Sequence, residues 1–149
     1  MEELQQGGLI RDEDGRILEM YQSYLGESSI LVAELYGVWQ GLKICIRNNW
    51  TNIVAETDSQ VAVTMISSEV QQRNWKVINI LDKIKKLVAL YSVQVLHQYR
   101  EGNSPADWIA NEALTSGISK TWERTTFPIA VRKLAYSNKS GLPYIRRSK

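Results

Sequence analysis

The chain has 149 residues, of which 44% are hydrophobic and 23% are charged. That length suits one domain with a sizeable core, and that composition excludes a disordered chain or a coiled coil. No apolar run reaches the roughly 18 residues that a membrane span needs, and residues 1–6 lack the basic and apolar regions of a signal peptide. We therefore expect an intracellular protein, in the nucleus or the cytoplasm, that has no contact with a membrane.

Charge is unevenly distributed along the chain. Residues 1–116 contain 10 Lys and Arg against 15 Asp and Glu, whereas residues 117–149 contain 8 basic residues against 1 acidic residue. We therefore predict a domain over residues 1–116 and a basic C-terminal extension over residues 117–149. A basic tail on an acidic body indicates contact with a polyanion, although a solvated tail explains the same charges.

The first third of the chain predicts a hairpin followed by a helix. Leu9–Arg11 and Arg16–Tyr24 form the strands, joined by an acidic turn that a glycine closes. Residues 1–6 carry no pattern, and Gly26–Ser29 is predicted as a loop that ends in a helix cap. A helix from about Ile30 to Arg47 has apolar residues at three- and four-residue steps. These are Leu31, Leu35, Val38, Leu42 and Cys45, the last of which we expect in the core.

The following elements alternate between strand and helix. A short buried strand is predicted at Ile53–Thr57, and Ser59 opens a helix. A longer helix is predicted at about Asn74–Leu90, then a strand at Val93–Tyr99, and finally a loop and a helix that ends near Leu114. This order is typical of a mixed α/β domain in which helices connect parallel strands.

Three acidic residues occupy positions at which α/β proteins place ligands. Asp58 follows a strand, Asp107 begins the helix after the next strand, and Glu34 lies near the start of the first helix. Carboxylates gather where a cation joins them, and oxygen ligands suit Mg²⁺ or Mn²⁺. Structural explanations remain open: Glu34 and Asp107 as first-turn acids that the helix dipole favours, and Asp58 as part of a helix cap.

Short motifs carry these acids in a fixed order. They are Ala33-Glu34-Leu35, Glu56-Thr57-Asp58-Ser59-Gln60, and the stretch Arg100 to Ala110 with Asn103, Ala106, Asp107 and Ile109. Together with the opening from Gly7 to Gly15 and the ending from Phe127 to Arg146, they resemble the ribonuclease H type 1 domain. The similarity is greatest to its plant, retrotransposon-derived branch, and it covers nearly the whole chain.

The resemblance implies a ribonuclease H-like mixed sheet flanked by helices, and an endonuclease that cleaves the RNA strand of an RNA–DNA hybrid. The family uses two divalent ions, Mg²⁺ or Mn²⁺, held by four carboxylates. Glu34, Asp58 and Asp107 match three of these, so the resemblance makes them catalytic residues and metal ligands. Asn103 matches a residue that helps to order the active-site loop.

The resemblance also implies that one strand is missing. The family's first catalytic Asp lies in a central strand that has no counterpart before Gly7 in this chain. We therefore expect unpaired backbone groups inside the sheet. The alternative function is a catalytically inactive nucleic-acid-binding remnant of a retroelement.

Substrate contacts are predicted from backbone amides and basic side chains, which bind phosphates. The candidates are Gly7, Gly8, Asn103 and Lys76. Trp75 and Lys76, with the lysines that follow at 83, 85 and 86, can form a basic handle; the alternative is a solvated helix face with Trp75 in the core. The single histidine, His97, is predicted to be structural. We expect a monomer whose partner is an RNA–DNA hybrid.

Overall fold

A computed structural model describes residues 2–69, 71–98, 119–123 and 145–147. Its elements are β1 (Glu2–Arg11), β2 (Ile17–Ser28), α1 (Ile30–Arg47), β3 (Ile53–Thr57), α2 (Gln60–Ser67), α3 (Trp75–Tyr91), β4 (Gln94–His97), β5 (Lys120–Glu123) and β6 (Ile145–Arg147). The strands form one six-stranded sheet in the order β4-β3-β6-β1-β2-β5. The three helices contact one another, and α1 packs against β1, β2 and β3. No helix in the described part of the chain is long and apolar enough to cross a membrane.

The acidic turn between β1 and β2 has the predicted geometry. Asp12 Oδ1 accepts hydrogen bonds from the N–H groups of Asp14 and Arg16, each at 2.9 Å. Gly15 has a φ of +80°, a conformation that glycine adopts without steric cost. The side chain of Asp12 therefore closes the turn together with the glycine.

The hairpin is longer than predicted at both of its open ends. β1 begins at Glu2 and pairs with β2 as far as Ser28, so residues 2–6 belong to a strand and the predicted loop is wrong over residues 26–28, whereas Ser29 caps the helix as predicted. The register shifts between Leu4 and Gln5, and Gly26 has a φ of +61° beside this irregularity. Backbone pairing with β2 forms this part of β1, which is why no apolar pattern signals it.

Helix α1 has the predicted bounds because both ends are capped. Ser29 Oγ accepts from the Val32 N–H at 3.2 Å, and the Asn48 N–H donates to the Ile44 carbonyl at 3.1 Å. The apolar stripe faces the core, and Cys45 is fully buried, as expected. Capping and stripe therefore specify the same helix.

The middle of the sheet is occupied by β6. It runs parallel to β1 at Ile10–Arg11 and antiparallel to β3 at Ile53–Ala55. The expectation of unpaired backbone groups inside the sheet is therefore wrong over these residues. Strands β5 and β6 both lie beyond residue 116, so the sheet contains strands from both sides of the predicted domain boundary. The boundary itself stays a prediction.

Candidate active site

The register of the sheet places Asp58 and Gly7 at the same position along the strand direction. Ile145 pairs with Ile10 on one side and with Ala55 on the other, and β1 and β3 run in opposite directions. Asp58 lies three residues beyond Ala55, and Gly7 lies three residues before Ile10. The two strands are separated by two strand spacings, each about 4.8 Å.

Helix α1 brings Glu34 to the same end of the sheet. Tyr21 pairs with Gly8 in the hairpin, and its hydroxyl donates to the Gly37 carbonyl at 2.8 Å. Gly37 therefore lies over β1 near Gly8. Glu34 precedes Gly37 by almost one turn, about 4.5 Å along the helix axis. Because α1 begins where β2 ends, this displacement leads toward the start of β1, so Glu34 and Asp58 lie at the same end of the sheet.

The structural explanation for Glu34 is wrong, and the helix-cap explanation for Asp58 is confirmed for its neighbour Ser59 only. α1 has no acidic residue in its first turn, so the dipole at the N-terminus does not account for Glu34. The N-cap of α2 is Ser59, whose Oγ accepts from the Ala62 N–H at 3.2 Å. Asp58 is therefore not the capping residue. Glu34 is half-buried and its Oε2 is shielded from solvent, so its carboxylate is not a fully solvated surface charge.

The backbone around Asp58 is held by β4. The Thr57 carbonyl accepts from the Gln98 N–H at 2.9 Å, and His97 Nε2 lies 3.2 Å from the Asp58 carbonyl. Thr57 Oγ1 accepts from the Ser59 N–H at 3.2 Å. The sequence prediction treated His97 as structural and missed its contact with Asp58. The signal was the parallel register that pairs Thr57 with His97, which the sequence does not reveal.

The remaining predicted site residues have different outcomes. Asn103 and Asp107 lie outside the described residues. Gly7 and Gly8 are buried in β1, and a Cβ on Gly8 would overlap the Tyr21 ring. Close packing therefore explains Gly8, and phosphate binding by the two glycines stays a prediction.

The described residues include two of the three predicted metal ligands, Glu34 and Asp58. Within the described ranges, no three His, Cys, Asp or Glu side chains form a group that could hold a metal ion. Glu34 and Asp58 therefore provide two carboxylates at most in that part of the chain. Mg²⁺ is usually bound through one or two carboxylates, with waters and substrate phosphates as the other ligands.

The start of α3 presents an aromatic side chain to solvent. Trp75 is 69% exposed, so the alternative that places it in the core is wrong. Lys76 is exposed, and its Nζ lies 5.9 Å from the centroid of the Trp75 ring. Lys85, in contrast, donates to the Ser68 carbonyl at 3.0 Å, and Lys83 Nζ lies 4.9 Å from the Trp39 ring centroid. The lysines of the predicted handle thus have different contacts.

A second acidic side chain is buried at the far end of α1. Glu19 accepts from Arg47 Nη2 at 3.2 Å and from Asn48 Nδ2 at 3.1 Å. Burial, with the nearby Glu19 charge, raises the pKa of the Cys45 thiol to about 12. Burial also raises the pKa of the Tyr21 phenol well above its usual value. The Cys45 thiol and the Tyr21 phenol therefore stay in their neutral forms at physiological pH.

Known proteins resemble this chain in sequence. Residues 4–113 match the family model described as reverse transcriptase-like. A provisionally named ribonuclease H protein of Arabidopsis thaliana is 29% identical over 120 residues, which cover 75% of this chain and 18% of that protein. The chain therefore spans about a fifth of the length of this curated relative.

Solved structures resemble it in fold. RNase H1 of the halophilic archaeon Halobacterium salinarum matches with a TM-score of 0.68 at 20% identity, over 75% of this chain and 86% of that chain. The N-terminal RNase H domain of a Mycobacterium tuberculosis protein, solved as a fusion with maltose-binding protein, matches with a TM-score of 0.56 at 17% identity, over 73% and 94%. The predicted mixed α/β fold is therefore confirmed.

Proposed function

The chain belongs to the reverse transcriptase-like family, as a ribonuclease H-like domain, and on that premise we propose that it binds an RNA–DNA hybrid and hydrolyses the RNA strand. Glu34, Asp58 and Asp107 hold divalent metal ions in this proposal. The observation that carries it is that Glu34 and Asp58 lie at the same end of the sheet. The activity of the longer Arabidopsis relative is not transferred by similarity alone, because this chain covers 18% of that protein.

The chemistry follows from the donor set. Neighbouring carboxylates repel each other, so a cation that binds between them stabilises both charged forms. Divalent ions held there supply Lewis-acid chemistry at the phosphodiester. The protein holds Glu34 on a capped helix and Asp58 at the end of a buried strand, so both side chains have fixed origins. RNA is distinguished from DNA by its 2′-hydroxyl groups in a wide, shallow minor groove.

Cleavage of a labelled hybrid in Mg²⁺ tests the proposal. We expect cleavage of the RNA strand, and a loss of at least about 100-fold in Asp58→Asn, because a metal ligand supplies several kcal/mol of transition-state stabilisation. Asp82→Asn is the matched control, since Asp82 is exposed on α3. The proposal is wrong if the wild-type chain leaves the hybrid intact, or if Asp58→Asn cleaves at the wild-type rate.

A nucleic-acid-binding module without catalysis is the second candidate, and the exposed Trp75 beside Lys76 favours it. An aromatic ring that stacks on an unpaired base of a single strand contributes about 1–3 kcal/mol. Trp75→Ala should therefore weaken binding of a hybrid with a single-stranded RNA overhang about tenfold in fluorescence anisotropy, and Tyr91→Ala, at the other end of α3, should not. Hybrid binding that Asp58→Asn leaves intact, together with no cleavage by the wild-type chain, selects this function over the first.

A further inference from the structure

The two peptide groups that flank the Cα of Asp58 are both held from the end of β4. The Thr57 carbonyl accepts from the Gln98 N–H at 2.9 Å. The Asp58 carbonyl lies 3.2 Å from His97 Nε2. A carbonyl oxygen can only accept a hydrogen bond, so Nε2 of His97 carries the hydrogen and donates it. Gln98 therefore holds the peptide group before Asp58, and its neighbour His97 holds the peptide group after it.

These contacts fix the direction of the Cα–Cβ bond of Asp58. The peptide groups are planar, so φ and ψ of Asp58 are fixed once both planes are fixed, and the Cα–Cβ bond follows from them. The second plane is held twice, because its Ser59 N–H donates to Thr57 Oγ1 at 3.2 Å. The bond from His97 is the contact in this set that comes from a side chain of the neighbouring strand. A substitution can therefore remove it without changing the backbone.

We propose that His97 is a positioning residue that directs the Asp58 carboxylate toward the metal ions. This inference rests on the proposed metal site and adds a residue that acts through Asp58. Groups that orient a metal ligand typically change metal affinity by 10–100-fold when they are removed. The ring of His97 is half-buried, and the parallel register of β3 and β4 pairs His97 with Thr57, next to Asp58.

Two substitutions of His97 isolate the hydrogen bond. His97→Gln keeps a donor, since the amide nitrogen of Gln reaches about as far as Nε2, whereas His97→Leu has a similar size and no donor. Gln94→Leu is the matched control, because Gln94 is exposed on the same strand and pairs with Val54. Mn²⁺ alone is the probe: its affinity for the full 149-residue chain is measured by electron paramagnetic resonance. Hydrogen exchange at the Ser59 amide, without metal, is the second readout.

We expect His97→Leu to weaken Mn²⁺ binding about 10–100-fold and to speed exchange at the Ser59 amide. His97→Gln and Gln94→Leu should stay close to the wild-type chain in both measurements. Equal losses in His97→Leu and His97→Gln would overturn the inference, because the effect would then come from the ring and not from the donor.

Asp58→Asn separates this inference from the proposed function. If the wild-type chain binds no Mn²⁺, or Asp58→Asn binds it as tightly, the metal site is wrong and the role of His97 is wrong with it. If Asp58→Asn loses Mn²⁺ while His97→Leu binds it as tightly as the wild-type chain, the metal site stands and the role of His97 is overturned.

Discussion

The two ends of α1 place acidic side chains in different surroundings. At its C-terminal end, Glu19 of β2 is buried and accepts hydrogen bonds from Arg47 and Asn48. Toward its N-terminal end, Glu34 lies at the same end of the sheet as Asp58. One carboxylate thus faces a guanidinium and an amide, and the other lies at the end of the sheet that also carries Asp58.

The difference shows how the partner of an acid, rather than its burial, indicates its role. A carboxylate that faces a guanidinium and an amide has its charge compensated within the fold, so it needs nothing from outside. Carboxylates that gather suit a cation that the protein must bind. The C-terminal end of α1 therefore lies beside a structural acid of β2, and its N-terminal half carries a candidate metal ligand.

The largest expected effect comes from neutralising Glu34, and the same substitution at Glu19 is the comparison. Glu34→Gln should lower the rate of hybrid cleavage by at least about 100-fold, because it neutralises a proposed metal ligand. Glu19→Gln should stay within about threefold of the wild-type rate, since it affects only the structural end. Initial rates in Mg²⁺ measure both. Equal losses in the two variants would remove the distinction between the ends of α1.

The pH dependence of stability tests the buried groups near the C-terminal end of α1. The folded chain keeps the Cys45 thiol protonated up to about pH 12, whereas the unfolded chain releases this proton near pH 9. The folded state therefore binds more protons in this window, and the free energy of unfolding falls as the pH rises, by at most about 1.4 kcal/mol per pH unit. The contribution is fully present below pH 9, and Tyr21 adds a loss of the same sign at higher pH.

Cys45→Val tests this dependence, because it removes the thiol and retains an apolar side chain. Its free energy of unfolding, measured in urea, should fall less steeply between about pH 9 and pH 11 than that of the wild-type chain. Glu19→Gln should also flatten the curve, since the Glu19 charge helps to raise the pKa of Cys45. Parallel curves for Cys45→Val and the wild-type chain would show that the thiol titrates alike in both states.

The smallest effect is expected from Arg47→Ala. Its side chain is 63% exposed, so solvent screens the ion pair, but Glu19 is buried and loses one donor. We expect the free energy of unfolding to fall by about 1 kcal/mol at neutral pH. Arg73→Ala is the control, because Arg73 is exposed in the connection before α3. An unchanged urea midpoint in Arg47→Ala would mean that Asn48 alone satisfies Glu19.

Local sequence signals predicted the bounds of α1, whereas pairing between residues far apart in sequence determined the extent of β1 and the position of β6. The bounds of α1 follow from the Ser29 cap, the apolar stripe and the two asparagines after Arg47, all of which are local in sequence. The start of β1 at Glu2 and the site of β6 were not predicted, because partners far along the chain create those strands. Asp58 was predicted to be a metal ligand from its motif, whereas the contact of His97 with Asp58 depends on the register of β3 and β4.

The position of β6 has a consequence for the order in which the chain folds. The β1–β2 hairpin joins residues that are close in sequence, whereas the middle of the sheet needs Ile145 to reach Ile10 and Ala55. Contacts between such distant residues carry a large loop-closure cost and form slowly. On the ribosome, the edges of β1 and β3 that pair with β6 therefore stay unpaired until residue 147 has been synthesised. An unpaired strand edge can bind another chain, so we expect protection by chaperones to matter most at this stage.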